Sequence, residues 1–180
     1  MQLTIRNQSL QSIINQIPSA AIPLFIAGIS LFSLMMALIA QYGFNLRPCD
    51  LCMMQRVPFV LNIALGITAY FCKAYRPHLI GLSGIAFLVN SVIAFFHSGV
   101  ERKWWQGLTG CSTPDMSGSI DDILKRIQET DVVRCDEIPW SFMGLSMANY
   151  NVPFCLGLAV ICFGYLYLTR QQPEKSSSPS

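Results

Sequence analysis

The stretch PCDLCMMQR, residues 48–56, sets two thiols three positions apart and a guanidinium four positions beyond the second. Three chemistries use such a pair. A zinc site would need four ligands, normally supplied by a second close pair or by nearby histidines. The remaining candidates fit that poorly: Cys111 and Cys135 are far apart in the chain, and His78 falls at the opposite membrane side. No metal is therefore expected. A structural staple across two intervening residues closes a very small loop, for which the entropic benefit is small. A redox pair suits the spacing best, because one thiol can be held as thiolate while its neighbour resolves the exchange. Arg56 sharpens this reading. If a helix begins near Cys49–Cys52, Cys52 and Arg56 are i, i+4 neighbours, and the thiolate of Cys52 gains both the guanidinium and the positive helix end. The competing reading for Arg56 is a side chain snorkelling to lipid headgroups. Pro58 deprives the Met54 carbonyl of its amide donor.

The elements that must hold these residues are apolar. Of 180 residues, 52% are hydrophobic and 12% charged, where soluble domains carry about 25% charged residues. A net charge of +2 and the lack of a basic, aromatic-interleaved stripe exclude nucleic acid as partner. Four runs have the length and composition of membrane spans, at about residues 20–40, 52–72, 79–97 and 152–169. The expected fold is an all-α membrane protein, a four-helix transmembrane bundle forming one domain over 1–180. The first run lacks a small-x-small cleavage site and reads as a retained helix rather than a signal peptide. Arg6, Lys73, Arg76, Arg170 and Lys175 gather at the termini and the second connection, against Glu174 alone. That distribution favours cytoplasmic termini and external loops at about 41–51 and 98–151. The tail from 171 to 180 reads as disordered.

This topology puts four of seven cysteines, Cys49, Cys52, Cys111 and Cys135, on the oxidising side, two per loop. Cys72, Cys155 and Cys162 fall in or at the ends of spans and are expected to pack as small apolar side chains. In the long loop, Ser119 precedes an i, i+3, i+4, i+7 series of Ile120, Ile123, Leu124 and Ile127. This predicts a short amphipathic helix lying in the membrane interface. Trp104, Trp105, Trp140 and Tyr150 sit near the span ends, as interfacial aromatics do. Cys111 lies in a turn region marked by Gly110, Pro114 and Gly118, where a disulfide would be accessible and labile. His97, at the outer end of the third span, reads either as a polar helix-end residue or as part of a cofactor site.

Four spans, C-x-x-C-x-x-x-R opening the second, and a cysteine pair in the long loop together resemble the DsbB family of bacterial inner-membrane thiol:quinone oxidoreductases. The segments that carry the resemblance are PCDLCMMQR at 48–56, FHSGVERKWW at 96–105 and CDEIPWSFMGLSMANYN at 135–151. It covers nearly the whole chain apart from the tails. The resemblance implies that a reduced, periplasmic, thioredoxin-fold dithiol oxidase of the DsbA kind attacks Cys111. Cys135 is then released to engage Cys49, and Cys52 is left as thiolate against a quinone, ubiquinone or menaquinone. Arg56 and His97 become quinone-side residues, while Glu101 carries no assigned role. Gln55 stands where some members have an acid, and Pro58 is not universal. These departures leave open a paralogue such as DsbI, serving one dedicated partner.

Two rivals predict different things. A non-catalytic four-span protein with stapled loops would tolerate loss of Arg56, and its bonds would resist mild reductants. An enzyme resembling vitamin K epoxide reductases would carry its C-x-x-C late in the chain, whereas here it opens the second span.

Overall fold

The computed structural model of the chain describes residues 18–107, 119, 134–136, 138 and 140–171. The expected interfacial helix, Cys111 and the tail beyond residue 171 lie outside them. Among the described residues four helices are long and apolar enough to cross a membrane, and they form the bundle that the hydropathy pattern implies. Helix α1 spans Ala21–Leu38 and is continued by a π turn, Ile39–Gly43. Pro23 sits in its first turn, where a missing amide costs no intrahelical bond. Helix α2 spans Asp50–Phe71, with Cys49 as its extended N-cap residue and Asp50 complementing the positive helix end.

Helix α3, Arg76–Glu101, is longer than the apolar run that marks it, and both extensions have local causes. At its start Pro77 is preorganised for a first turn. At its end, Trp104 N–H bonds the Gly99 carbonyl and Lys103 N–H bonds the Val100 carbonyl. Lys103 takes φ 59°, so this is the two-bond left-handed cap usually built on glycine. The Trp105 indole folds back over the same turn, donating from Nε1 to the Phe96 carbonyl at 2.9 Å. A Cβ on Gly99 would meet that ring at 2.0 Å, which explains the glycine in FHSGVERKWW.

Ahead of the last helix, Ser141–Phe142 (β1) and Leu145–Ser146 (β2) form a minimal antiparallel hairpin, a feature that an all-helical reading did not anticipate. Met143 and Gly144 both have positive φ at its tip, as a two-residue hairpin turn requires. Helix α4 runs Met147–Arg170, starting ahead of its apolar run because the Ser146 hydroxyl accepts from Asn149 N–H as an N-cap.

Helix α3 packs between α2 and α4, and α1 packs on α2. The shared core joins Ile26 of α1, Phe59 of α2, Ile80 and Phe87 of α3, and Cys155, Leu158 and Cys162 of α4. The α2–α3 connection is tied by Arg76, which is buried and donates to the Ala69 and Tyr70 carbonyls at 3.0 and 3.2 Å. These carbonyls belong to the last turn of α2, which has no further amides to satisfy it. Arg76→Met is expected to cost about 1.5–3 kcal/mol, the range for hydrogen bonds made by a charged group. Thermal unfolding in detergent, followed by far-UV circular dichroism, reads this out, and an unchanged Tm would refute it.

Candidate functional site

The site forms where the N-terminus of α2 meets the C-terminal turns of α3. Because Cys49 is the N-cap and Cys52 lies in the first turn, the helix brings their sulfurs to 3.3 Å, with Cys49 Sγ donating to Cys52 Sγ. Cys49 is buried and Cys52 half-buried. His97 of α3 faces the pair, its Nε2 at 3.5 Å from Cys49 Sγ. The hydrogen bond to Cys52, with burial adding to it, pushes the Cys49 thiol from its ordinary 9.0 up to about 12, and the contact with His97 pulls the other way. Cys135, fully buried, packs into the same cluster with Cys49, Leu51 and Val100, flanked by Cys52 and Phe96. Its turn is braced by Arg134, whose Nε and Nη2 donate to the two Asp136 oxygens at 3.0 and 2.7 Å. That guanidinium holds the Asp136 carboxyl below the usual carboxylate range.

Three of the four loop cysteines therefore converge, although Cys135 is remote from the C-x-x-C in sequence. His97 is buried and bonded on both ring nitrogens rather than being a simple helix-end residue. Its Nδ1 lies 2.9 Å from Gln55 Nε2, and Asn151 Nδ2 donates to Gln55 Oε1 at 2.7 Å. The chain continues as Cys155 Sγ donates to Asn151 Oδ1 at 3.2 Å, with Asn90 Nδ2 at 3.4 Å from that sulfur. Gln55 and Asn151 were not singled out as site residues from sequence. The available signal was an amide one turn after Cys52 on the same helix.

Arg56 does not take the direction expected of it. Its Nη1 donates to Gln41 Oε1 on the π turn of α1 at 2.7 Å, while Cys52 receives its hydrogen bond from Cys49. The guanidinium thus spans from α2 to α1 at the mouth of the bundle. One residue further along α2 an apolar groove of about 300 Å³ opens between α2 and α3, lined by Val57, Pro58, Leu61, Leu65, Leu82 and Ile85 among others.

The arrangement gathers three thiols and an imidazole at the end of a helix long and apolar enough to cross a membrane. The family model for disulfide bond formation protein DsbB matches residues 19–164. The chain belongs to the DsbB family. A Disulfide bond formation protein B of Nitrosococcus oceani is 27% identical over 149 residues, covering 76% of this chain and 86% of its own. One of Polaromonas sp. is 29% identical over 136 residues, covering 72% and 79%. An uncharacterized protein of Rickettsia prowazekii is 29% identical over 150 residues, covering 82% and 86%. No solved structure matches the chain. As a DsbB-family protein it is a multi-pass membrane protein and an oxidoreductase of disulfide bond formation.

Two further features of this DsbB-family chain were not legible beforehand. Glu101, left without a role, is buried and accepts from the Ser146 hydroxyl, with Asn149 Nδ2 at 3.5 Å and His97 Nε2 at 3.8 Å. It thereby ties the end of α3 to the N-cap of α4 behind the histidine. Cys155 and Cys162 pack in the core as expected, but Cys72 is exposed. The chain turns there, with Cys72 closing α2 at ψ 79°, so its side chain has left the packed helix faces.

Proposed function

We propose that this protein is a thiol:quinone oxidoreductase that recharges a periplasmic, DsbA-like dithiol oxidase and so sustains disulfide formation. The observation that carries the reading is the convergence of Cys52, Cys135 and His97 on Cys49 at the mouth of a membrane-length helix. The catalytic residues of this proposal are Cys49, Cys52, Cys111 and Cys135. The partner thiolate attacks Cys111 and forms a mixed disulfide, releasing Cys135. Cys135 exchanges onto Cys49, which frees Cys52, and the resolving partner thiol leaves with its disulfide formed. Each exchange breaks one S–S bond and forms one, so two electrons and two protons leave the partner in total. Cys111 then displaces Cys49 from Cys135, which restores the loop disulfide and leaves Cys49 and Cys52 as the reduced pair. Quinone, as co-substrate, takes their two electrons and two protons and departs as quinol.

The residues present suit such an acceptor. A lipid-soluble ring arrives from the hydrocarbon, and the apolar groove beside Val57 and Leu61 opens to it. Arg56, which precedes Val57 in the chain, supplies a cation anchored on Gln41 at the mouth of the bundle, and His97 a ring N–H beside the thiols. In the cell the chain would act as one inner-membrane domain with cytoplasmic termini and periplasmic cysteine pairs, as the basic residues of the second connection and the C-terminus favour.

The test supplies the purified protein in detergent with a reduced DsbA-like dithiol and either ubiquinone or menaquinone. One quinone is expected to be consumed per partner disulfide formed. Partner oxidation without quinone consumption, or no oxidation with either quinone by protein that retains its fold, would reject the proposal.

A further inference from the structure

We propose that the reduced form of this chain holds a thiophilic divalent cation of the zinc type on Cys49 Sγ, Cys52 Sγ and His97 Nε2, and that the bound ion arrests turnover. The arrest rests on the redox reading above, whereas binding itself does not. The third donor, His97, lies far from the C-x-x-C in the sequence, which is why spacing alone argued against a metal. The fold brings all three within 4.8 Å of one another. Tetrahedral zinc, with Zn–S of about 2.3 Å and Zn–N of about 2.0–2.1 Å, places its ligand atoms about 3.5–3.8 Å apart. Here the two sulfurs are 3.3 Å apart and Cys49 Sγ is 3.5 Å from His97 Nε2. Two thiolates and an imidazole are the donor set that zinc and its soft neighbours favour.

The surroundings of the histidine fit the same role. Metal-bound histidines donate their second ring N–H to a carbonyl or carboxylate, which fixes the tautomer. Gln55 stands 2.9 Å from His97 Nδ1. With the ion on Nε2, the proton resides on Nδ1 and the Gln55 amide turns to offer its oxygen. Asn151 follows by turning its own amide, since Gln55, Asn151 and Cys155 form one hydrogen-bonded series able to run in either direction. Half-buried Cys52 gives the ion its path in.

Binding replaces two S–H bonds by two S–metal bonds, the protons pass to water, and no electron moves. A disulfide between the same sulfurs has no thiolates to offer, so the ion binds only the reduced pair. While bound, it keeps Cys49 and Cys52 from exchange. The site is thereby a redox-gated brake, engaged when reduced thiols accumulate.

The test uses the full chain in detergent, reduced with a phosphine that is then removed under anaerobic conditions. Cobalt(II) alone is titrated in, followed by zinc. One equivalent of cobalt is expected to give the intense visible bands of a tetrahedral site together with thiolate charge transfer, both removed by zinc and absent from the oxidised protein. Cys52→Ser should weaken binding about a hundredfold or more and Gln55→Ala about 10- to 100-fold, with gel filtration confirming that both fold. A reduced wild type without the tetrahedral spectrum, or a Cys52→Ser variant with an unchanged one, overturns the site. Turnover is measured in parallel with and without zinc. Metal binding in a protein with no metal-free turnover would sink the redox reading and leave the site standing. Turnover in a protein that binds no metal would do the reverse, and full turnover at saturating zinc would overturn the brake.

Discussion

Cys49→Ser is expected to end quinone-dependent turnover, and His97→Ala to slow it about 10- to 100-fold, the worth of one hydrogen bond to a charged sulfur. The two effects share one cause. Once exchange has returned Cys49 beside Cys52, re-forming their bond as quinone is reduced proceeds through thiolate, and reduced Cys49 is held as thiol by its hydrogen bond to Cys52 and by burial, at a pKa of about 12. The groups around it are Cys52 from α2, His97 from α3 with Glu101 3.8 Å from the imidazole, and Cys135 from the following loop. Of these, His97 lowers the cost of ionising Cys49, and its loss removes the larger of the two influences that do so, the other being a backbone hydrogen bond with Cys52. The sign of the pH dependence follows. Raising the pH towards a raised thiol pKa produces thiolate, so turnover of His97→Ala should climb by about tenfold per unit between about pH 7 and 10. Steady-state rates across that range, with the helical signal by circular dichroism as control, provide the readout. A flat profile in the alanine variant would mean that His97 serves only packing, and persistent turnover in Cys49→Ser would remove that cysteine from the reaction.

The convergence behind this expectation was only partly written in the chain. The C-x-x-C at the head of a span was legible because its chemistry is local: a helix N-terminus sets both sulfurs by backbone geometry alone. His97 was legible as a polar residue at the end of an apolar run, but not as a partner of Cys49, since the two lie in different helices. A finer signal was present. Ser83, Asn90 and His97 recur every seven residues in α3, and all three are buried. Lipid penalises polar side chains that face it, so such a stripe in a span must turn inward, towards the neighbouring helices. Read that way, α3 announces the bundle's polar seam, with Gln55 and Asn151 as its counterparts on α2 and α4.

Two expectations failed for a common physical reason. Arg56 was assigned to Cys52 by i, i+4 spacing, yet its long side chain reaches across to Gln41 on another helix. Spacing fixes where a side chain leaves its helix and not where a flexible four-bond stem ends. Cys72 was assigned to the core from its residue type, yet the chain leaves helical geometry at that residue. The hairpin tip was hidden likewise, because Met143 rather than a turn-forming residue takes a positive φ ahead of Gly144. In each case a tertiary or turn constraint overrode a local preference.

Gly66→Leu is expected to be the most damaging substitution outside the cysteine cluster. A Cβ at Gly66 would lie 2.8 Å from the Pro23 carbonyl oxygen, 2.9 Å from the Ala27 amide nitrogen and 3.0 Å from Ala27 Cβ. The first two are backbone atoms of α1 and cannot rotate away. Membrane helices lack a hydrophobic drive to associate and rely on such small residues for close approach. A leucine therefore forces α1 from α2 as a body, at a cost of about 1–3 kcal/mol or more. The displacement acts on Ile26 and Ser30, both buried, and on the bond between Gln41 and Arg56 at the mouth. Weakened stability should thus come with weaker quinone use, seen as a raised KM for quinone more than a lowered kcat. Gly157, with nothing within 4 Å of its built Cβ, is the matched control, and Gly157→Ala should melt as the wild type does. Thermal unfolding in detergent and quinone titration of turnover measure both effects. A Gly66→Leu variant with wild-type Tm would show that α1 does not depend on this contact.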